Sequence, residues 1–296
     1  MSHSTNAPHV GLLGFGEAAR AIVEGWGGRR SFQASAYDLK LDDPVQSPIL
    51  RGVAELVRVA CLPGLKDLLD GVDVVFCLVT ADQAAAAADV AAQHVRPGTL
   101  WFDGNSCAPG TKRRAAAAIE AAGGRYVDLA IMAPIRPNLH RTPMLISGHH
   151  AEQALAVLES FDMTARIVGP DVGEASAIKM IRSVMIKGME ALTAECLLAA
   201  RRAGVEEQVL ASFEASDASI AWRQRSLYNL GRMHEHGIRR AAEMREVATT
   251  LRELGLPDRM SAATADWQEQ IGQMDIAEMS PELSAALDKA LAGFPR

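Results

Sequence analysis

The sequence predicts an α/β domain followed by an all-helical one, and three observations carry that expectation. Short β-branched runs alternate with alanine-rich stretches from His9 to about Val168. The β-rich runs stop at Gly169-Pro170. Beyond that point apolar residues recur at intervals of three and four, the period of a helix face. Strands alternating with helices give a parallel sheet covered by helices. Residues 1–170 are therefore expected as the first domain and 171–296 as the second.

In chain order, VGLLG at 10–14 reads as a strand and EAARAIVEGW at 17–26 as a helix. SAYD at 35–38, DVVFCLV at 73–79, TLWFDG at 99–104, RYVDLA at 125–130 and MLISG at 144–148 supply further strands, rich in β-branched and aromatic residues. ADQAAAAADVAAQHV at 81–95 and APGTKRRAAAAIEAAG at 108–123 read as helices, because alanine favours the helical state and lets a helix lie close on a sheet. From Gly173 onward, Ile178, Ile181, Met185, Met189, Leu192, Cys196 and Ala199 mark one long helix with one apolar stripe, expected to be buried. GLPD at 255–258 stops another helix. Ser280-Pro281 is expected to start the last one, with a capping serine and a proline at the first helical position.

Composition narrows the partners. The chain has 296 residues, 49% hydrophobic, which is ample for a sizeable core. A net charge of -6 argues against nucleic acid or an anionic membrane, neither of which attracts an acidic surface, and leaves small molecules or proteins. Cys61, Cys77, Cys107 and Cys196 are scattered, matching neither a disulfide framework nor zinc-ligand spacing, and read as reduced cytoplasmic thiols. The start, MSHSTNAPHV, carries no basic-then-apolar leader, and no apolar run approaches a membrane span. The histidine pairs His149-His150 and His234/His236 lack an organising carboxylate pattern, so no metal is assigned.

The first strand runs into Gly14-Phe15-Gly16-Glu17-Ala18-Ala19, a G-x-G-x-x-A turn opening a helix. Such a turn suits a dinucleotide. Gly14 makes the bend, Gly16 lets backbone approach the pyrophosphate, and Ala19 lets the helix sit close to the sheet. Asp38 closes the second strand about 20 residues on, the distance at which a carboxylate meets the adenosine ribose hydroxyls. That favours NAD over NADP, whose 2′-phosphate an aspartate repels, although Lys40 softens the repulsion and keeps NADP admissible. Asn105 and Ser106 follow a strand end, where the ligand site of an open sheet lies, and Ser106 is equally placed to cap a helix.

With LLGFGEAA at 12–19, FCLVTADQ at 76–83, DGNSCAP at 103–109 and GEASAIK at 173–179, the chain resembles the β-hydroxyacid dehydrogenase family over nearly its full length. That family includes the 3-hydroxyisobutyrate and 6-phosphogluconate dehydrogenases. The resemblance implies a Rossmann-type NAD(P)-binding domain followed by an all-α domain for substrate and dimerisation. It implies Val79 and Thr80 beside the nicotinamide, and a catalytic Lys179 with Ser183 where the family carries an asparagine. Two departures mark a divergent branch. The family segment D-x-P-V-S-G-G corresponds to Asp128 through Pro134, so Met132, Ala133 and Pro134 stand in for the serine and glycines that hold the substrate carboxylate. The later K-D-L segment is replaced by IRRAAEMREV at 238–247.

Offsets of three, four and seven residues place Lys179, Arg182, Ser183 and Ile186 on one helix face. Interconverting an alcohol and a carbonyl requires one acid/base group, and an ammonium whose charged form is disfavoured by burial and by a neighbouring cation such as Arg182 can serve. From spacing alone, a solvated lysine with its stem over apolar neighbours fits as well. Arg136 and Arg240, with Arg239 beside it, are candidate clamps for a substrate anion, because a guanidinium matches a carboxylate with two parallel bonds. The expectation is an NAD(P)-dependent dehydrogenase acting on the CH–OH of a 3-hydroxy acid or related compound. Met132 and Ile135 point to a bulkier or more apolar substrate, and decarboxylation can follow if a β-keto acid forms. Imine reduction on the same scaffold and an NAD(H)-binding regulator without turnover are the competing readings.

Overall fold

A computed structural model describes residues 8–27 and 32–295. The first seven residues of the stretch read as carrying no leader lie outside the described residues. The strands are β1 His9–Leu13, β2 Gln33–Tyr37, β3 Ala60–Cys61, β4 Val74–Cys77, β5 Leu100–Asp103, β6 Arg125–Ile131, β7 Met144–Ser147 and β8 Ala165–Gly169. The helices among them are α1 Glu17–Trp26, α2 Gln46–Leu56, α3 Leu65–Leu69, α4 Ala84–Ala91, α5 Pro109–Ala121 and α6 Ala151–Ser160. Then follow α7 Glu174–Arg202, α8 Glu206–Ser216, α9 Trp222–Glu253, α10 Arg259–Gly272 and α11 Leu283–Leu291.

The chain divides into two compact units, Met1–Met180 and Ile181–Arg296. In the first, one sheet runs in the order β3-β2-β1-β4-β5-β6-β7-β8. The order turns back between β1 and β4, and neighbours from β3 to β6 are parallel. Alternate side chains go to opposite faces, as the two-residue period of a strand requires. Val74, Phe76, Leu100, Phe102, Val127 and Leu129 pack with α1, α2 and α6. Val75, Cys77, Trp101 and Tyr126 pack with α3, α4 and α5.

Four expectations need correction. The sheet is not wholly parallel: β7 pairs antiparallel to β6, and residues 132–143, which join them, form a single 3-10 turn at Leu139–Arg141 and no α-helix to make a crossover. Strands β3 and β8 were not read from the sequence; β3 has two residues and β8 is a half-exposed edge. The helix expected over 81–95 begins as a 3-10 turn at Ala81–Gln83, and α4 ends at Ala91. Ser280 does not cap α11: the helix starts at Leu283 with Glu282 as its cap residue, and the Ser280 hydroxyl instead accepts the Glu282 amide at 3.2 Å.

In the second unit Ala191, Ala194, Leu197 and Leu198 of α7 pack with Leu210, Leu230, Met233, Ile271 and Leu287. The helix α9 ends at Glu253, just before Gly255 at φ 72°, where GLPD was expected to stop it. The apolar stripe of α7 is a correction as well. Ile178, Ile181, Met185, Met189 and Leu192 are exposed, and the buried face carries Ser183, Lys187 and Glu190. Lys187 pairs with Glu243 at 2.5 Å, and Glu190 accepts from Arg240 and, at 2.8 Å, from Gln268. No helix among the described residues is long and apolar enough to cross a membrane.

Candidate active site

Backbone bonds continue the parallel ladder past the strand ends and align four segments. The Gly14 amide donates to Tyr37 O, Leu78 to Leu13 O and Gly104 to Cys77 O, at 2.8, 2.8 and 2.9 Å. The carboxyl ends of β2, β1, β4 and β5 thus bring Asp38, the glycine turn, Val79 and Asn105 into one row beside the point where strand order reverses. Open α/β sheets bind ligands there.

The turn is built for close backbone approach. Gly14 has φ 87°, and a Cβ there would lie 2.7 Å from Leu78 O. A Cβ on Gly16 would meet nothing within 4 Å, so the backbone faces open space at the start of α1, where no side chain caps the helix amides. Phe15 is buried in the core and offers only backbone to a ligand. Glu17 is exposed and Ala18 half-buried. Asp38 braces the turn: Oδ2 accepts the Phe15 amide at 2.7 Å and Oδ1 the Lys40 amide at 2.9 Å. Val79 is half-buried and Thr80 exposed.

Asn105 is buried. Its Nδ2 donates to Cys77 Sγ at 3.2 Å, its amide donates to Asp103 Oδ1 at 3.0 Å, and its Oδ1 has no protein partner. An orphaned buried acceptor at this edge is a place for a ligand donor. The glycine cradle, the free face of Gly16, the acid at the end of β2 and this acceptor fit a dinucleotide. Ser106 does not cap α5, whose cap residue is Ala108.

The start of α7 is tied to the same sheet. Asp128 on β6, the register partner of Asp103, accepts the Gly173 and Ser176 amides on Oδ2 at 3.1 and 2.9 Å. Ser147 on β7 donates to that oxygen at 3.3 Å and accepts the Ala175 amide at 3.1 Å. Lys179 follows within one turn and is half-buried. The face drawn from sequence splits: Ser183 is buried, while Arg182 and Ile186 are exposed.

The remaining candidates have these surroundings. Arg136 is exposed and pairs with Glu24 of α1 at 2.5 Å, which raises the guanidinium and lowers the carboxyl. Arg240 is buried and paired with Glu190, and Arg239 donates to Glu243 at 2.7 Å, so these guanidiniums are already engaged by carboxylates. Met132 is half-buried against Ala130, Leu145 and Ala175.

Sequence reasoning missed Lys112. This lysine of α5 is fully buried and donates to Asp103 O and Oδ1 at 2.6 and 2.9 Å, with Asp128 Oδ1 at 3.4 Å. Tyr126 donates to the other Asp103 oxygen at 2.6 Å. Burial alone would lower the Lys112 ammonium, but the two carboxylates outweigh it and raise it above its usual value. The signal was present: TLWFD and RYVD set an aspartate on the same face of neighbouring strands, a pairing that needs a cation.

Residues 200–271 match the family model described as a domain of unknown function, DUF1932. The crystal structure of a conserved hypothetical protein from Sinorhizobium meliloti 1021 is 36% identical, covers 98% of each chain and has a TM-score of 0.73. The conserved protein MTH1747, described as structurally similar to 3-hydroxyacid dehydrogenases, is 30% identical over 97% of this chain and 100% of its own, with a TM-score of 0.67. The 3-hydroxyisobutyrate dehydrogenase of Mycobacterium tuberculosis, solved with L-serine, shares the fold at 15% identity over 95% and 98% of the chains, with a TM-score of 0.71.

Proposed function

We propose that this chain, which belongs to the β-hydroxyacid dehydrogenase family as a divergent branch with its own C-terminal helical domain, is a nicotinamide-dependent oxidoreductase of CH–OH compounds. The observation that carries the reading is the row at the carboxyl edge of the sheet. Asp38, Gly14, Gly16, Val79 and Asn105 line up there, with a helix bearing Lys179 anchored to neighbouring strands of the same sheet.

A bound nicotinamide would supply the hydride chemistry at the substrate carbon. Gly14, Phe15, Gly16, Glu17 and Ala18 hold the pyrophosphate through backbone, the α1 amides supplying the positive end of a helix. Asp38 accepts from the ribose hydroxyls with the lone pairs its two backbone donors leave free, which favours NAD over NADP. Val79, Thr80 and Asn105 border the ring. Lys179 Nζ gives a proton to the carbonyl oxygen in reduction and takes it back in oxidation, and Ser183, one turn further along α7, holds that oxygen.

The substrate is a 3-hydroxy acid or a related hydroxyl compound. Met132, packed against Ala130 and Leu145, favours one with a more apolar end than the core family accepts. The same apolar replacement at 132–134 favours a second reading, an NAD(H)-binding regulator without turnover. The exposed face of α7 supports a homodimer in which a second copy covers it.

The test is an absorbance screen at 340 nm with NAD and NADP separately, over 3-hydroxy acids, sugar acids and aryl-substituted hydroxy compounds. Turnover is expected with a lower KM for NAD. Lys179→Ala should lower kcat by about 10²–10⁴-fold, the span of general acid–base catalysis. Unchanged turnover in that variant ends the proposed role of Lys179. Cofactor binding without turnover on any compound moves the reading to the regulator.

A further inference from the structure

Asp103 and Asp128 are register partners on adjacent strands and point to the same face. Both are buried. Two like charges in that arrangement repel, and burial strengthens the repulsion. Lys112 answers it with three contacts, two to Asp103 and one to Asp128 Oδ1, while Tyr126 donates to Asp103. Two carboxylates against one ammonium still leave an excess negative charge. The amino end of α7 offsets it, since its amides and the positive end of its dipole meet Asp128 Oδ2.

The anchoring is specific. Asp128 Oδ2 takes the amides of Gly173 and Ser176, and Ser147 Oγ takes that of Ala175. Gly173 adopts φ 109°, where a side chain is strained and a Cβ would lie 2.8 Å from Arg113 Nη1. Lys179 is four residues beyond Ala175 and three beyond Ser176, so it leaves the helix on nearly the same face as the clamped turn. At 1.5 Å rise per residue it stands about 4.5–6 Å along the axis. A shift at the anchor is therefore carried to Lys179 almost undiminished.

We propose that Asp128 is a positioning residue for Lys179, with Ser147 as its second arm and Lys112 holding its carboxylate in place. The inference rests on the reading of Lys179 as the acid/base group, and it gives Asp128 a task separate from the substrate contacts of the segment it begins. That separation explains how the chain can carry Met132, Ala133 and Pro134 and still keep the aspartate. A misplacement of about 1 Å in a reacting group costs on the order of 10²-fold in rate.

The experiment compares the full-length chain with Asp128→Asn, Ser147→Ala and Lys179→Ala. The first readout needs no substrate: trace acylation of lysines by isotopic acetic anhydride across pH 7–11, with Lys179 measured against exposed Lys40 and buried Lys187 by peptide mass spectrometry. The second is the split between kcat and KM on the best substrate of the screen. In Asp128→Asn and Ser147→Ala, Lys179 acylation should change at least threefold relative to Lys40, with Lys187 unchanged. The kcat should fall at least tenfold with the KM for NAD within twofold. A loss of folding in the first unit would open buried Cys77 to iodoacetamide, and one in the second would expose Lys187; if Asp128→Asn shows either, Ser147→Ala decides. Unchanged Lys179 acylation in the deciding variant overturns the proposal, whatever the turnover. Retained turnover in Lys179→Ala refutes the acid/base reading instead, and the acylation result still judges the anchor.

Discussion

The glycine turn allows a prediction that separates fold from ligand binding at two positions one residue apart. At Gly16 the backbone sits at φ −79° and ψ −160°, which any residue adopts, and an added Cβ meets nothing within 4 Å. Gly16→Ala should leave the fold intact and its stability within about 1 kcal/mol, the gain from a less flexible unfolded chain being offset by alanine's poorer fit at a helix N-cap. The same methyl fills the space proposed for the pyrophosphate, so on that proposal NAD affinity should fall at least tenfold, about 1.4 kcal/mol. With ligand at 100 times the wild-type Kd, the wild type gains about 2.7 kcal/mol and the variant about 1.4 kcal/mol or less.

Gly14→Ala should behave oppositely. Its φ of 87° costs an alanine about 1–2 kcal/mol, and the Cβ would lie 2.7 Å from Leu78 O, in backbone pinned to β1 by the 2.8 Å bond from Leu78 N to Leu13 O. Thermal melts with and without NAD, with calorimetric titration, measure both effects. NAD affinity within twofold of wild type in Gly16→Ala, or a loss of stability there to match Gly14→Ala, would refute the reasoning.

Other consequences are independent of the cofactor. Burial, reinforced by the Asp103 carboxylate, pushes the Cys77 thiol up to about 12, so about one molecule in ten thousand carries the thiolate at pH 8. Native protein should resist iodoacetamide at Cys77 until guanidinium is added, as mass spectrometry will report. Burial lowers the Lys187 ammonium against the opposing pull of Glu243. Its folded state binds the proton less tightly than the unfolded chain, so this group makes stability rise with pH on the alkaline side, up to the unfolded value of 10.5. Lys187→Met should abolish that rise. It should also cost about 3 kcal/mol by denaturant titration, the low end for breaking a buried pair, because Arg239 still holds Glu243. Met185→Glu, on the exposed stripe, should convert a species of twice the 31.6 kDa chain mass into one of the chain mass by light scattering, with the helix content by circular dichroism unchanged and a lower melting temperature; an unaltered mass would refute the dimer.

Much of the first unit was legible because its signals are local. Strands β1, β4, β5 and β6 announce themselves as short runs buried on both faces, and Gly14, Gly16 and Asp38 follow from spacing within one βαβ stretch. Strand direction is a longer-range property, yet the antiparallel β7 had a readable cause, since residues 132–143 hold no helical stretch. A two-residue edge strand such as β3 gives no pattern to read. Lys112 lay hidden because Lys-Arg-Arg in an alanine-rich helix looks like a solvated face. Only the pairing of Asp103 with Asp128 shows why one of those cations goes inside.

The helix α7 marks the limit of periodicity as evidence. A repeat of three and four residues proves that two helix faces differ, but it does not say which one the chain itself covers. Here Ile181, Met185 and Leu192 are 50%, 64% and 52% exposed, while Lys187 and Glu190 are 6% and 4% exposed. Burying those charges is tolerable because each has a partner of opposite sign on α9, and Gln268 of α10 adds a bond to Glu190. Such pairs gain little net stability over apolar packing, but they fix which residues of two helices face one another. The apolar face gains nothing by facing water, and each large aliphatic side chain covered there would contribute roughly 1.5–3 kcal/mol. A helix that turns Lys187 and Glu190 inward and Ile181, Met185 and Leu192 outward is therefore suited to an assembly in which both faces are covered, one by the chain itself and the other by a second copy.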